Sequence, residues 1–404
     1  MPYNALAGLK VLDLSRRLAG SFCAKTLALY GCEVVKVGPL TGDPTRSQNQ
    51  NSQTESHDPL FLHLNSGKKS ITLDLFSKRG KVVFLKLVKE FDVVVETFKP
   101  NYMDKIGIGN KKLRNVTPSL VQTSVTPFGQ TGPYRDFEYT ELTVFALTGA
   151  MHREGLPEKY PLKYGGEIAQ YFAGSSAAAA TISSLHDRLF HGEGEWIDIS
   201  IQECMVGYPH QMARRAAYIY IGQPDPRSSP RTSASGPREP YAVGSFRCKD
   251  GFVSFLPLRS QMWPNLAKMI DREDLLENPK FDTQSKRSEN YPELEKIFQS
   301  WLENKTRAEI FESVQQSGVR GAPILSSEEV FENEQFKHRE FFHFINHPAG
   351  EKYKYTGDPF RLEGLKRTDL KPAPSLGQHT GEILNNYTDL VNDDIESLKR
   401  ENVI

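Results

Sequence analysis

Over the first two hundred residues, short apolar runs alternate with stretches in which apolar side chains recur every three or four positions. Leu9 to Leu14 (LKVLDL) is apolar and suits a buried strand. Ala19, Phe22, Cys23, Leu27 and Tyr30 follow at helical spacing, and Gly31 marks the helix stop. Glu33 to Val37 (EVVKV) reads as the next strand, so the opening unit is β-α-β. An amphipathic helix carrying Val82, Val83, Leu85, Leu87 and Val88 leads into a strand at Asp92 to Val95, and Leu120 to Val125 is another. Alternation of this kind predicts an α/β fold, with a large Rossmann-like domain whose parallel sheet is covered on both faces.

Ala173 to Leu185, rich in alanine and serine, reads as a tightly packed helix. Trp196 to Ile201 returns to strand alternation, and Glu203 to Ile221 reads as helical. The pattern then breaks. Gln223 to Pro240 holds five prolines among serines and arginines with no hydrophobic period, which predicts a linker. Beyond it, Ala242 to Arg247 and Phe252 to Phe255 flank Asp250-Gly251, a hairpin signal. Helices are expected around Pro264–Ile270, Glu293–Leu302 and Arg307–Gln315, and a terminal helix within Leu390 to Ile404. The organisation expected is a large domain over 1–222, a linker over 223–240, a small mixed α/β domain over 241–322, and a return to the large domain over 323–404.

Composition narrows the partners. Lysine and arginine together number 50, as do aspartate and glutamate, so no net field favours nucleic acid or an anionic membrane. Cys23, Cys32, Cys204 and Cys248 show neither a CxxC pair nor zinc-like spacing with histidine, which fits free thiols in a reducing compartment and no metal. Met1 to Lys10 has no basic region followed by an apolar run, and no apolar run approaches the roughly 20 residues of a membrane span. A cytoplasmic location without membrane partners is the expectation. No GxGxxG, Walker loop, HExxH or GxSxG is present, so residue patterns alone give a large α/β protein and no chemistry.

Chemistry enters through a set of ordered blocks. Leu9 to Gly20 (LKVLDLSRRLAG), Gly31 to Val37 (GCEVVKV) and Gly42-Asp43-Pro44-Thr45-Arg46 resemble the opening of the family III CoA-transferases. This is the superfamily of formyl-CoA and carnitinyl-CoA transferases and acyl-CoA racemases. Leu64 to Leu75, Val95 to Gly107, Pro118 to Pro133, Ala146 to Met151 and Gly192 to Glu203 extend the match in order. The resemblance implies a site for coenzyme A, bound as the substrate thioester, with an acyl-CoA donor, a small carboxylic acid acceptor and an interlocked homodimer. The diphosphate and ribose phosphate of CoA need basic groups and backbone donors, and its adenine an apolar slot. The matching blocks offer Lys36, placed after a strand, then Arg46, Lys68 and Lys69 in loops, and Phe98, Tyr102 and Lys105. Thr97 stands where an asparagine is usual. Against this, most lysines are solvated loop charges.

In the family mechanism an aspartate attacks the thioester, because a carboxylate is nucleophilic and its anhydride passes the acyl group onward. That aspartate lies four residues before a glycine that matches Gly174, so its place is held by Gln170, whose neutral amide cannot form the same intermediate. Three readings stay open. Glu167, on the same helical face as Gln170, could supply the carboxylate; the register could be displaced by the three residues between them; or the chemistry could be changed or lost. Glu141, in Tyr139-Thr140-Glu141, matches a glutamate opposite the nucleophile, and Tyr139 and Leu18 would line the substrate. Oxalate-specific members carry a glutamine at the Leu18 position, which weakens a formyl or oxalyl substrate. The racemase histidine falls on Thr140 and its acid on Gln170, so that reading loses both groups, and His152 reads as a surface residue. The activity expected is acyl-CoA:carboxylate CoA transfer. A thioesterase, an isomerase or a non-catalytic CoA-ester-binding protein are the alternatives.

Overall fold

The computed structural model describes residues 4–46, 58–156, 158–207, 218–220, 222, 242–256, 262–347, 350, 352–364 and 370–404. They fall in two compact units, one of Met1–Gly149, Tyr164–Ala213 and Glu340–Ile404, the other of Ala150–Lys163 and Arg214–Arg339. The proline-rich segment 223–240 lies outside the described residues, as does most of the helix expected over 203–221.

The first unit is built on six strands, β1 (Lys10–Asp13), β2 (Glu33–Gly38), β3 (Lys69–Thr72), β4 (Val93–Glu96), β5 (Val121–Thr126) and β6 (Trp196–Ser200). They pair in the order β3-β2-β1-β4-β5-β6, all parallel. The strand order reverses between β1 and β4, which opens a crevice beyond their carboxyl ends. The residues at that crevice are Ser15 to Leu18 after β1 and Thr97-Phe98 after β4.

Side chains along the central strands alternate between two faces. Leu12, Leu14, Val35, Val37 and Val94 join a core with Val83, Phe84, Leu87 and Val88 of helix Lys78–Val88, and with Ile383, Leu384, Ile395 and Leu398 of the two C-terminal helices, Thr380–Tyr387 and Asn392–Arg400. The opposite face carries α1 (Ala19–Leu29), α2 (Pro59–Asn65) and, after α3 (Lys78–Val88), α4 (Tyr102–Lys105), α5 (Asn110–Val116) and α6 (Glu141–Leu147), the long α7 (Ile168–His191). The alanine-rich stretch makes α7 longer than the expected Ala173–Leu185. Its small residues bring it hard against α1. A Cβ at Gly174 would stand 2.6 Å from the Ala19 carbonyl oxygen, and the Phe22 and Tyr171 rings meet edge to face at 4.9 Å. Gly20 plays the same part at the crevice, where a Cβ would meet Ser15 and Thr97 at 2.5 and 2.6 Å.

The second unit holds an antiparallel sheet of β7 (Gly244–Cys248), β8 (Gly251–Phe255) and β9 (Gly321–Pro323), packed on helices Met262–Met269, Tyr291–Glu303 and Arg307–Ser317. The turn of the expected hairpin is Lys249-Asp250, with Gly251 already in β8 and paired to Cys248. A second hairpin, β10 (Phe342–Asn346) with β11 (Lys352–Thr356), belongs to the first unit and was not expected. The four cysteines are free. Among the described residues no helix is long and apolar enough to cross a membrane.

Gly174→Ala forces α1 and α7 apart at a backbone contact that cannot rotate away, and is expected to cost about 1–3 kcal/mol. Chemical denaturation measures it; a loss under about 0.5 kcal/mol would show that the helix pair does not depend on this approach.

Candidate functional site

Asp13, the last residue of β1, is wholly buried and pairs across the ladder with Lys36 of β2. Lys68 reaches it from the residue before β3, with Nζ 2.7 Å from Asp13 Oδ2, and also donates to the Ser21 carbonyl at 2.9 Å and to Asn65 Oδ1 at 3.1 Å. Lys36 donates to the Ser15 carbonyl at 2.9 Å and pairs with Asp43 at 2.9 Å. Burial alone would raise the Asp13 carboxyl, but the charges of Lys36 and Lys68 hold it below its ordinary value. Burial lowers Lys68 to about 8 despite Asp13.

This network corrects the sequence expectation for the basic residues. Lys36 lies inside β2, not after it. Lys68 makes three buried contacts with the protein, and Lys69 is no loop residue but opens β3, where it bridges Glu33 and Glu382 at 2.8 Å each. Arg46 lies in the short turn Pro44–Arg46 with its guanidinium 3.9 Å over the Phe61 ring, and burial draws it down to about 10. Its Nε and Nη1 are buried and meet no hydrogen-bond acceptor among the described residues. Lys105 ends α4 and is exposed.

Above the network lies a small cleft, open to solvent, at the carboxyl ends of β1, β2 and β4. Lys36, Asp43 and Ser15 form part of its lining, together with Gly38, Phe76, Phe98 and Tyr102. Phe98 and Tyr102 stack at 4.8 Å, and the Arg16 guanidinium stands 5.7 Å over the Phe98 ring. Thr97 fastens the two crevice loops together: its Oγ1 accepts from the Arg16 N–H at 2.8 Å and donates to the Arg16 carbonyl at 3.2 Å. Glu96 turns the chain at the end of β4 by accepting the Phe98 N–H at 2.6 Å. Burial raises its carboxyl from the ordinary 4.5 to about 7, with the charge of Asp198 adding to the rise and hydrogen bonds from Ser124 and Phe98 opposing it.

A second cluster forms where α6 and α7 begin. Glu141, first residue of α6, accepts the Ala169 N–H at 2.8 Å and so caps the start of α7. Glu167 is the N-cap residue of α7, but its exposed side chain makes no capping bond, whereas Gln170 is 7% exposed. Burial raises the Tyr139 hydroxyl above its usual value, Arg17 draws it down, and Glu167 and Glu141 push it up. Burial and then Glu167 raise Tyr171 likewise. Tyr139, Glu141, Glu167 and Gln170 are therefore neighbours. Leu18 is 1% exposed, an interior residue at the start of α1. Thr140 caps α6 by exchanging hydrogen bonds with Thr143, and His152 is exposed in the second unit. Arg17, Phe76 and Glu96 were not among the candidates, although Arg17 sits in the first of the blocks that carry the resemblance.

A crevice at a strand-order reversal, floored by a lysine and walled by stacked aromatics, defines an α/β protein that can seat a nucleotide-like ligand. Matching CoA-transferase family III over residues 6–380, the chain belongs to that family. It is 29% identical over 419 residues to the formyl-CoA:oxalate CoA-transferase of Streptomyces avermitilis, with 99% of this chain and 100% of the relative covered. With the succinyl-CoA:glutarate CoA-transferase of Mus musculus it shares 31% over 380 residues, covering 94% and 85%. The crystal structure of a CAIB/BAIF family protein from Brucella suis superposes with a TM-score of 0.85 at 27% identity, covering 96% of this chain and 100% of that one. Among the described residues no group of three or more histidine, cysteine, aspartate or glutamate side chains is placed to hold a metal ion.

Two predictions follow from the buried charges. Asp13→Asn leaves Lys68 buried without a counter-charge and should cost about 3–5 kcal/mol, whereas adding Lys68→Met should restore part of the loss. Denaturant titration of both variants decides it, and a double variant no more stable than the single one refutes the pairing argument. Glu96 holds its proton in the folded state after the unfolded chain has released it. Its contribution to stability is therefore full below about pH 4.5 and lost as pH rises towards 7. Glu96→Gln keeps an acceptor for Phe98 and should flatten that decline; melting curves from about pH 4.5 to 7.5 with the wild-type slope unchanged would count against it.

Proposed function

We propose that this chain is an acyl-CoA:carboxylate CoA-transferase in which Glu167 supplies the carboxylate that Gln170 cannot. The observation that carries the reading is the contrast between the two glutamates at the start of α7. Glu141 is committed to the Ala169 N–H, while Glu167 is exposed, makes no capping bond and lies one turn from Gln170. A helix N-terminus favours a carboxylate there and an oxyanion developing beside it. The names of the relatives support transfer between an acyl-CoA and a small carboxylic acid. The cleft supports a CoA ester lying along the crevice, its adenine end near Phe98 and Tyr102 and its thioester towards α7.

The steps need no outside reagent. A Glu167 oxygen attacks the thioester carbonyl, the C–S bond breaks, and CoA leaves as thiolate from a mixed anhydride. The thiolate attacks the Glu167 carbonyl, the donor acid departs as its carboxylate, and a glutamyl-CoA thioester remains. The acceptor carboxylate then repeats both steps in reverse, forming its own CoA ester and restoring Glu167.

Hydroxylamine or borohydride added with an acyl-CoA should place an adduct on Glu167, read by peptide mass, and Glu167→Gln should lower kcat on the order of 10³-fold. Turnover with an unmodified Glu167 would sink the assignment. Free acid formed without any acceptor would point to a thioesterase, and tight binding with no conversion to a CoA-ester-binding protein.

A further inference from the structure

Arg16 and Arg17 are adjacent in the chain, yet the backbone divides them between the two halves of the site. Arg16 is fastened to Thr97 through both its N–H and its carbonyl, and its guanidinium covers the Phe98 ring beside the CoA cleft. Arg17 has φ +61, a left-handed conformation unusual for a residue with a side chain. Such strain is retained where the surroundings over-determine it, often at working sites. Here the chain on both sides is fixed. Ahead of Arg17 is the Thr97 clamp; behind it Leu18 is buried and α1 is held in register on α7 by the approach of Ala19 to Gly174 and of Phe22 to Tyr171. The side chain of Arg17 thus emerges where α1 begins, close to the first turn of α7.

Its charge reaches Tyr139, which also feels Glu141 and Glu167. Among the described residues the Arg17 guanidinium has no ion pair and no hydrogen bond. Two carboxylates beside the reacting centre repel an anionic substrate, and an unpaired guanidinium next to them offsets that repulsion while offering a planar fork to a carboxylate.

We propose that Arg17 reads a second carboxylate on the substrate, so that the acyl groups passed through this site are those of dicarboxylic acids. The inference rests on the transferase reading of the same site. Donor acid and acceptor acid occupy one subsite in turn, so a single arginine serves both. The contribution is to specificity: Arg17 holds the far end of the acid and takes no part in bond making.

The test compares wild type, Arg17→Gln and Arg17→Lys with matched acceptors, succinate against butyrate and glutarate against valerate. Wild type should favour the dicarboxylates by about 10- to 100-fold in kcat/KM, with the difference mainly in KM. Arg17→Gln should bring the ratio near unity, with the loss falling mainly on the dicarboxylates, and Arg17→Lys should keep part of the preference. An equal loss on both acids, or no wild-type preference, overturns the proposal. Calorimetric binding of succinyl-CoA and butyryl-CoA separates this from failure of the transferase reading. If no variant turns over, tighter wild-type binding of succinyl-CoA that Arg17→Gln abolishes still upholds the role of Arg17, and equal binding of the two esters refutes it. Arg17→Gly, which relieves the left-handed backbone, should melt no lower than wild type, which shows that lost selectivity is not lost folding.

Discussion

The buried carboxylate of Asp13 is the constraint on which the site depends. It ends the central strand at the point where strand order reverses, and a charge in that position must be matched within the protein or not exist at all. Lys68 and Lys36 match it, and their remaining hydrogen bonds run to Ser21, Asn65 and Ser15. One ion network therefore fixes the start of α1, the end of α2, the middle of β2 and the loop that follows β1. The loop carrying Arg16 and Arg17 is built directly on it. Its rigidity is electrostatic at the bottom and steric above, where Gly20 lets Ser15 and Thr97 close over the helix start.

The same network changes what a basic residue near a phosphate-bearing ligand means. Four lysines and an arginine in the matching blocks suggest a cationic cradle. In the folded chain Lys68 neutralises Asp13, Lys69 ties an edge strand to a C-terminal helix, and Lys36 shares its charge with Asp43. Net positive charge at the cleft is correspondingly small. What its rim presents instead is the stacked pair Phe98 and Tyr102, with Arg16 over Phe98. Arg46 and the exposed Lys105 are not spent in this way: the buried Nε and Nη1 of Arg46 meet no acceptor among the described residues.

Hydrophobic period disclosed most of the large unit, because strands buried on both faces and helices with one apolar face leave strong signals. It missed β3, where Lys69-Ser70-Ile71-Thr72 lies at the sheet edge and only Ile71 is a large apolar side chain. It missed β10 and β11 for a similar reason, their lysines, histidines and aromatics alternating without a clear polar face. Partner choice was not legible at all. Nothing local tells Lys68 to reach an aspartate 55 residues away, or Glu141 to cap a helix that starts 27 residues later. Such pairings are decided by which elements the topology makes neighbours. The resemblance located the positions of interest, and only the folded chain shows which are committed elsewhere.

At the start of α7, Gln170 has an electrostatic consequence that an aspartate in its place would not have. A carboxylate there would lie beside Glu141 and Glu167, three like charges around one helix terminus, and each would raise the cost of ionising the others. The neutral amide relieves that crowding. Glu141 keeps its bond to the Ala169 N–H, and the Glu167 side chain stands exposed at the positive end of the helix. On the proposed reading, the carboxylate that attacks the thioester stands at an exposed position a turn away from the buried Gln170. An exposed carboxylate gains less from a dry, preorganised surrounding than a buried one. More of the work of positioning an acid against it must then come from whatever holds the rest of that acid, the part proposed for Arg17.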